Sequence, residues 1–274
     1  MAKADEIFGN VLRLATSDKQ IRGVVVVGSR ANNPEVDEWA DFDIQLYGAD
    51  HLALLEDDGW LSDMARVWIC IPEAYEEYGH QIDTRLVIFE GGVKVDFAFY
   101  PLDLLRDVKA RWKKCEILID KDDVVDSTIV FAETGNLPPS AEEFLAVVNN
   151  FWFEVYHVAK YLKRGDLWLV KFRDWSTKEF LLLMLEWYAK SQHGWDYETR
   201  YMGKHMGEWL DVETWEALHV IFGHFDREDS WEALLATAAL FSRMGREVAA
   251  ALGVEYPEVI EGNMMGFVNK LRAK

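Results

Sequence analysis

A buried strand that ends in Gly-Ser, followed by two aspartates one residue apart, constrains this chain more than any other feature. The run Gly-Val-Val-Val-Val at residues 23–27 is rich in β-branched residues and predicts a buried strand. Gly28 allows a ligand to approach the backbone closely, and Ser29 offers a hydroxyl and an N–H to a phosphate. Side chains two residues apart on a strand share a face, so if residues 41–46 form a strand, Asp41 and Asp43 would direct two carboxylates to one point.

A third carboxylate follows the first two. The segment 85–99 reads as two strands joined by a Gly-Gly hairpin turn, and Asp96 lies inside the second, otherwise apolar strand. Taken alone, one strand aspartate is explained equally well by a solvent-facing edge position. Together with Asp41 and Asp43 it indicates a site, because clustered carboxylates are costly unless a cation lies between them. Hard oxygen ligands suit Mg²⁺.

The pattern of elements predicts an α+β fold with two domains. Residues 1–138 carry a mixed sheet with helices, including a helix over 4–17, a strand over 66–71 that Pro72 ends, a helix over 102–112 and a strand over 116–120. Asp50 is expected to cap a short helix.

The composition changes at Leu137-Pro138-Pro139-Ser140, and residues 139–274 read as a helical domain. Helices are expected near 141–164, 176–192, 206–223 and 230–252. Ser140 with Glu143, and Ser176 with Glu179, match the capping-box pattern at a helix start. Glycines stand where three helices should end, at Gly165, Gly194 and Gly253.

The formal net charge of −19 argues against nucleic acid or an anionic membrane as a partner, since both would repel the chain. A polycationic small molecule would be attracted, although an acidic surface can also serve solubility alone. The two cysteines show no CxxC spacing, which suits a reducing compartment. Without a signal-peptide pattern or a long apolar run, the sequence predicts a soluble cytoplasmic protein.

Gly-Ser followed by Asp-x-Asp and a later strand aspartate resembles the nucleotidyltransferase superfamily that includes DNA polymerase β. More closely, the chain resembles the aminoglycoside 6-adenylyltransferases, the streptomycin-modifying enzymes. The matching segments run from residue 28 to residue 257: Gly28-Ser29-Arg30, Asp41-Phe42-Asp43-Ile44, Lys94-Val95-Asp96, Pro101-Leu102, Leu118-Ile119-Asp120-Lys121-Asp122, Phe151-Trp152, Val158-Ala159-Lys160 and Glu255-Tyr256-Pro257. Ala31, Phe42 and the loop 33–39 depart from the family pattern, which affects the acceptor more than the chemistry.

The resemblance implies a polymerase-β-like N-terminal domain that uses ATP and two Mg²⁺ ions to transfer AMP to a hydroxyl of an aminoglycoside, with streptomycin as the expected acceptor. Asp41 and Asp43 would bind both metal ions. Asp96 would either help hold one ion or take the acceptor proton as general base, and the sequence leaves both roles open. Gly28 and Ser29 would hold the β- and γ-phosphates.

Three basic residues have weaker assignments. Arg30 adjoins the phosphate cradle and is a candidate phosphate contact, or else a surface arginine of the loop. Lys160, on the first helix of the second domain, is expected by resemblance to reach the triphosphate, although most helix lysines are simply solvated. Lys94 shares the strand face of Asp96 and is either a charge partner of the carboxylates or an edge residue.

An acceptor pocket is expected between the domains. Its candidate residues are Trp152, Glu154 and Tyr156 on one helix, with Glu186 and Trp187 on the next. Carboxylates there would meet guanidinium or ammonium groups of the substrate. The competing interpretation places both tryptophans in the core and both glutamates in solvent.

Two other function classes remain open at this stage. The same chemistry could serve another acceptor, such as a lincosamide-like drug, a metabolite or a protein side chain. Alternatively, the chain could be a nucleotide-binding module without turnover, although such a module would be expected to lose one of the three aspartates. A monomer or a weak dimer is expected.

Overall fold

A computed structural model of the chain describes residues 2–33, 36, 37, 39–48, 52–132 and 137–273. The chain divides into two compact units, Met1–Glu133 and Thr134–Lys274. The domain boundary predicted from the sequence, between residues 138 and 139, lies just beyond this division. In the described ranges no helix is both long and apolar enough to cross a membrane.

The N-terminal unit is built on one six-stranded mixed sheet with the strand order β3-β4-β5-β2-β1-β6. All neighbouring strands are antiparallel except β2 and β5, which run parallel. The strands are β1 (Ile21–Val27), β2 (Phe42–Gly48), β3 (Val67–Glu77), β4 (His80–Phe89), β5 (Val93–Pro101) and β6 (Cys115–Asp120).

Strand β2 shows why this sheet places polar groups where it does. Phe42, Ile44 and Leu46 alternate with polar residues and pack into the main apolar cluster, which the first helix covers. Asp43, Gln45 and Tyr47 therefore project from the other face. There the buried Tyr47 donates a hydrogen bond to Gln45 Oε1 at 2.7 Å. One face of the strand packs into the main apolar cluster, and on the other face Tyr47 packs into a second, smaller apolar cluster.

Short helices complete this unit. The helix predicted over 4–17 is confirmed as α1. The helix predicted over 102–112 is wrong in its continuity, because the chain forms a 3₁₀ turn at Leu102–Leu105 and a separate short helix. The expected cap at Asp50 lies outside the described residues. The helices are α1 (Ala2–Ser17), α2 (Leu52–Glu56), α3 (Leu61–Met64) and α4 (Val108–Arg111).

Strand β3 corrects a prediction based on proline. Pro72 was expected to end the strand, yet β3 continues to Glu77 and pairs with β4 throughout, with Pro72 opposite Arg85. Because β3 lies at the edge of the sheet, the missing N–H of a proline does not break a central hydrogen-bonding ladder. The acidic aromatic segment after Pro72 is therefore part of an edge strand.

The C-terminal unit is helical, as predicted. The capping box at Ser140 and Glu143 is confirmed by reciprocal hydrogen bonds, and Gly165, Gly194 and Gly253 stand at the ends of the three long helices. The helices are α5 (Ala141–Arg164), α6 (Leu167–His193), α7 (Met206–Trp209), α8 (Val212–Ala217), α9 (Arg227–Leu252) and α10 (Glu258–Arg272).

Helix α6 begins earlier than predicted, at Leu167, so the capping-box interpretation of Ser176 is wrong. Asp174, two residues before Ser176, lies within the helix. Its Oδ1 accepts a hydrogen bond from the buried Lys178 at 2.7 Å. A second hydrogen bond joins Lys178 to Thr237 Oγ1 at 2.8 Å. A buried ion pair, rather than a helix start, explains the polar residues here.

Two other segments differ from the sequence-based prediction. The helix expected over 206–223 is broken into α7, α8 and a 3₁₀ turn, and α10 was not predicted at all. The unit is held together by an apolar core shared by its long helices. At its centre the rings of Phe151 and Phe241 stack with centroids 3.6 Å apart.

Candidate active site

The strand register brings two of the predicted carboxylates side by side. Val27, the last residue of β1, pairs with Asp43 on β2, and Asp43 pairs with Asp96 on β5. Residues paired across neighbouring strands share a face and lie about 5 Å apart. The turn that begins at Gly28 therefore starts directly beside the two aspartates.

Gly28 has a positive φ of 76° and begins a 3₁₀ turn that ends at Arg30. A Cβ atom at this position would lie 2.4 Å from Asp43 Oδ2, a distance that real Cβ atoms essentially never show. Only glycine satisfies both the left-handed backbone and this close approach. The glycine predicted from the sequence thus allows the turn to pack against the carboxylate.

Lys94 forms hydrogen bonds with two of the three carboxylates. Its Nζ donates hydrogen bonds to Asp41 Oδ2 at 2.9 Å and to Asp96 Oδ2 at 2.6 Å. Burial by itself would lower the pKa of the Lys94 amine, but the hydrogen bonds to Asp96 and Asp41 raise it overall, so the group is an ammonium. Of the two sequence interpretations of Lys94, the charge partner is therefore confirmed.

The oxygen atoms of these aspartates are of the kind that binds a divalent cation. Asp96 Oδ1 is buried and has no hydrogen-bond partner among the described residues, so one carboxylate oxygen retains unused capacity. Carboxylate oxygens are the ligands that Mg²⁺ prefers. Among the residues that the structure describes, no three acidic, histidine or cysteine side chains lie close enough together to hold a metal ion. The Lys94 ammonium lies between Asp41 and Asp96 instead.

The two polar residues after Gly28 differ in their contacts. Ser29 is exposed, and its carbonyl accepts a hydrogen bond from Asn33 Nδ2 at 3.1 Å. Arg30 donates from Nε to the Ala40 carbonyl at 2.8 Å, and its guanidinium stacks 4.1 Å from the centroid of the Phe42 ring. These contacts tie Arg30 to the loop that leads into β2. They favour a role in shaping the loop over the predicted phosphate contact.

Lys160 lies on α5 beside two tyrosines. Its Nζ is 5.1 Å from the centroid of the Tyr156 ring and 5.0 Å from that of Tyr161. Tyr156 also stacks on Phe267 of α10, with ring centroids 5.2 Å apart. The ammonium is half-buried against aromatic faces, which attract cations.

The structure does not bring the predicted acceptor residues into one place. Trp152 is only 1% exposed and belongs to the core, as the competing interpretation held. Glu154 is buried and pairs with Arg173 of α6, with Nη1 3.2 Å from Oε1. Thirteen residues, about 20 Å of helix, separate Arg173 from Glu186. Glu154 and Glu186 therefore cannot contact the same small group.

Glu186 and Trp187 lie further along α6. Trp187 is half-buried, and its ring centroid lies 6.5 Å from that of Phe144. Burial raises the pKa of Glu186, while the nearby Lys190 partly lowers it. The contact that the sequence did not predict is the ion pair between Glu154 and Arg173 on the next helix. No local spacing in a sequence predicts an ion pair formed between two helices.

The mixed sheet, the glycine turn and the aspartates on adjacent strands agree with the class of protein that the family model assigns, which is a nucleotidyltransferase. The family to which it belongs follows from its sequence. The family model described as streptomycin adenylyltransferase matches residues 1–271, so the chain is a member of that enzyme family. The family resemblance and the α+β fold class predicted from the sequence are thereby confirmed.

Two curated relatives span nearly the same length. An aminoglycoside 6-adenylyltransferase of Bacillus subtilis (strain 168) is 27% identical over 271 residues, covering 96% of this chain and 95% of the relative. One of Campylobacter jejuni is 29% identical over 264 residues, covering 94% and 92%. The crystal structure of an aminoglycoside 6-adenyltransferase from Bacillus subtilis aligns with a TM-score of 0.50 over 99% of both chains, at 23% identity. This last similarity concerns the fold alone.

Proposed function

We propose that this protein is an aminoglycoside O-adenylyltransferase that moves AMP from ATP to a hydroxyl of a cationic aminoglycoside, with streptomycin as the leading acceptor. The observation that carries the proposal is the contact of the Gly28 turn with Asp43, which pairs with Asp96. The names of the curated relatives support the acceptor class. The net charge of −19 also favours a polycationic substrate.

In this proposal the acceptor hydroxyl attacks the α-phosphorus of ATP. The bond between the α-phosphorus and the oxygen that bridges to the β-phosphate breaks, and pyrophosphate leaves. The protein contributes alignment and charge rather than a covalent intermediate. Gly28 and Ser29 would hold the β- and γ-phosphates through the turn at the end of β1. Lys160 is the proposed contact to the triphosphate from the helical unit.

Asp41, Asp43 and Asp96 would hold magnesium, and we propose two ions. When bound, magnesium supplies positive charge that offsets the charge developing on the phosphate oxygens. Asp96 has a second proposed role, because its Oδ1, which has no hydrogen-bond partner in the described part of the chain, can accept the proton of the acceptor hydroxyl. We propose residues 1–138 as the nucleotidyltransferase domain and residues 139–274 as the helical substrate-binding domain, which would also supply Lys160 to the triphosphate.

The test is pyrophosphate release from Mg·ATP with streptomycin, and with other aminoglycosides in parallel. Asp43→Asn should lower the rate by at least about 10²- to 10³-fold, because it removes one of the carboxylates proposed to hold magnesium at the reacting phosphate. Asp63→Asn, an exposed position on α3, is the matched control and should leave the rate unchanged. Full activity of Asp43→Asn would refute the assignment of the site.

A different acceptor is the second candidate, and it keeps the same nucleotide chemistry. The observation in its favour is that the residues predicted to bind the acceptor do not converge, since Glu154 is paired and Trp152 is in the core. ATP and Mg²⁺ binding without aminoglycoside-dependent release would support this candidate.

A further inference from the structure

The most unusual feature of the site is a lysine that joins two of its carboxylates. Lys94 Nζ lies 2.9 Å from Asp41 Oδ2 and 2.6 Å from Asp96 Oδ2. Asp96 is on β5, whereas Asp41 lies one residue before the start of β2, and the lysine is on the same strand as Asp96, two residues before it. One ammonium therefore joins β5 to the entry of β2.

The charges explain why such a bridge is needed. Asp43 pairs directly with Asp96 across the parallel strands, and Asp41 is joined to the same cluster through Lys94. Three carboxylates close to one another repel each other unless a cation offsets them. A single lysine that makes short contacts with two of the three provides that offset from within the chain.

We propose that Lys94 is a positioning residue that acts as an internal counter-cation: its ammonium holds Asp41 and Asp96 in place in the metal-free enzyme, and it must release them before a divalent cation binds. The inference rests on the proposed function, because it takes the same aspartates to be the metal ligands. The lysine and the metal ion then compete for the same oxygens.

The competition has a measurable size. The apparent affinity for a metal ion equals the intrinsic affinity multiplied by the fraction of enzyme in which Lys94 has released the aspartates. If that fraction is about one tenth, replacing the lysine with an uncharged residue tightens metal binding about tenfold. The side chain of Lys94 is 34% exposed, so it has solvent to move into.

The experiment uses the full chain without nucleotide, with Mn²⁺ as the probe and the free ion measured by electron paramagnetic resonance. Lys94→Met should bind Mn²⁺ about tenfold more tightly than the wild type, while its thermal unfolding midpoint without metal falls. Lys94→Arg keeps the charge and should retain an affinity close to that of the wild type. A lysine with a purely structural role would give the opposite result, since Lys94→Met would then weaken Mn²⁺ binding as well.

Lys94→Gln is a second uncharged variant, for which the same tightening is expected should the methionine variant fail to fold. Equal or weaker Mn²⁺ binding by a folded, uncharged variant would overturn the inference, and the proposed function would stand if Asp43→Asn still abolished binding. If neither the wild type nor the variants bind Mn²⁺ at millimolar concentration, the carboxylates are not metal ligands, and the proposed function fails together with the inference.

Discussion

Replacing Gly28 with alanine tests the geometry of the site directly. The new Cβ would lie 2.4 Å from Asp43 Oδ2, whereas distances below 3.0 Å essentially do not occur. Asp43 or the turn must therefore move by at least about 0.6 Å, the difference between these two distances. A misplacement of about 1 Å at a reacting centre can cost about 10²-fold in rate, so we expect kcat/KM to fall by that order.

Backbone strain adds a separate cost to Gly28→Ala. Holding alanine at a φ of 76° costs about 1–2 kcal/mol of unfolding free energy. Gly79→Ala is the matched control, since Gly79 has a φ of 77° in the same unit and nothing within 4 Å of the new Cβ. In urea unfolding Gly28→Ala should lose at least as much stability as Gly79→Ala, because the close approach to Asp43 adds to the same backbone strain, but only Gly28→Ala should lose adenylyl transfer. Equal activity of the two variants would refute the close-approach argument.

Two further predictions concern the helical unit. Burial raises the pKa of Tyr256 to about 12 from its ordinary value of 10.0, so the neutral hydroxyl stabilises the fold below pH 10, and this contribution is lost between about pH 10 and 12. The decline in unfolding free energy over that interval should therefore be shallower in Tyr256→Phe than in the wild type. An unchanged decline would contradict the assignment. Lys178→Met leaves the carboxylate of Asp174 buried without its partner and should lower the unfolding free energy in urea by about 3–5 kcal/mol. The double variant Lys178→Met with Asp174→Leu should recover much of this loss. If Lys178→Met alone were as stable as the wild type, the pair would not be effectively buried.

The parts of the site that were predictable are those with a local signal. The β-branched run that ends at Gly28 predicts a strand from a few neighbouring residues. The spacing of two between the aspartates predicts that their side chains share a face, because side chains on a strand alternate. The pairing of Asp43 with Asp96 could be expected only from the family resemblance. Strand order is set by packing across the whole sheet, which no local pattern records.

The parts that were missed depend on partners distant in sequence. Ser176 carried the pattern of a helix start, yet α6 begins at Leu167 because the earlier turns pack against the helical core. Pro72 was a stop signal that the edge position of β3 makes harmless. Glu154 was expected to bind the acceptor, but its carboxylate forms an ion pair with Arg173 on the neighbouring helix. In each case a contact between elements overrode a local rule.

The one parallel pair in the sheet affects how this enzyme can acquire activity. Asp43 and Asp96 are neighbours in space although 53 residues separate them along the chain, and β3 and β4 lie in that interval. The carboxylate pair can form only when the chain returns to place β5 beside β2, which makes it a long-range contact. A fragment that ends before β5 therefore lacks the carboxylate pair, and adenylyl transfer during refolding would report the pairing of β5 with β2 in the correct register.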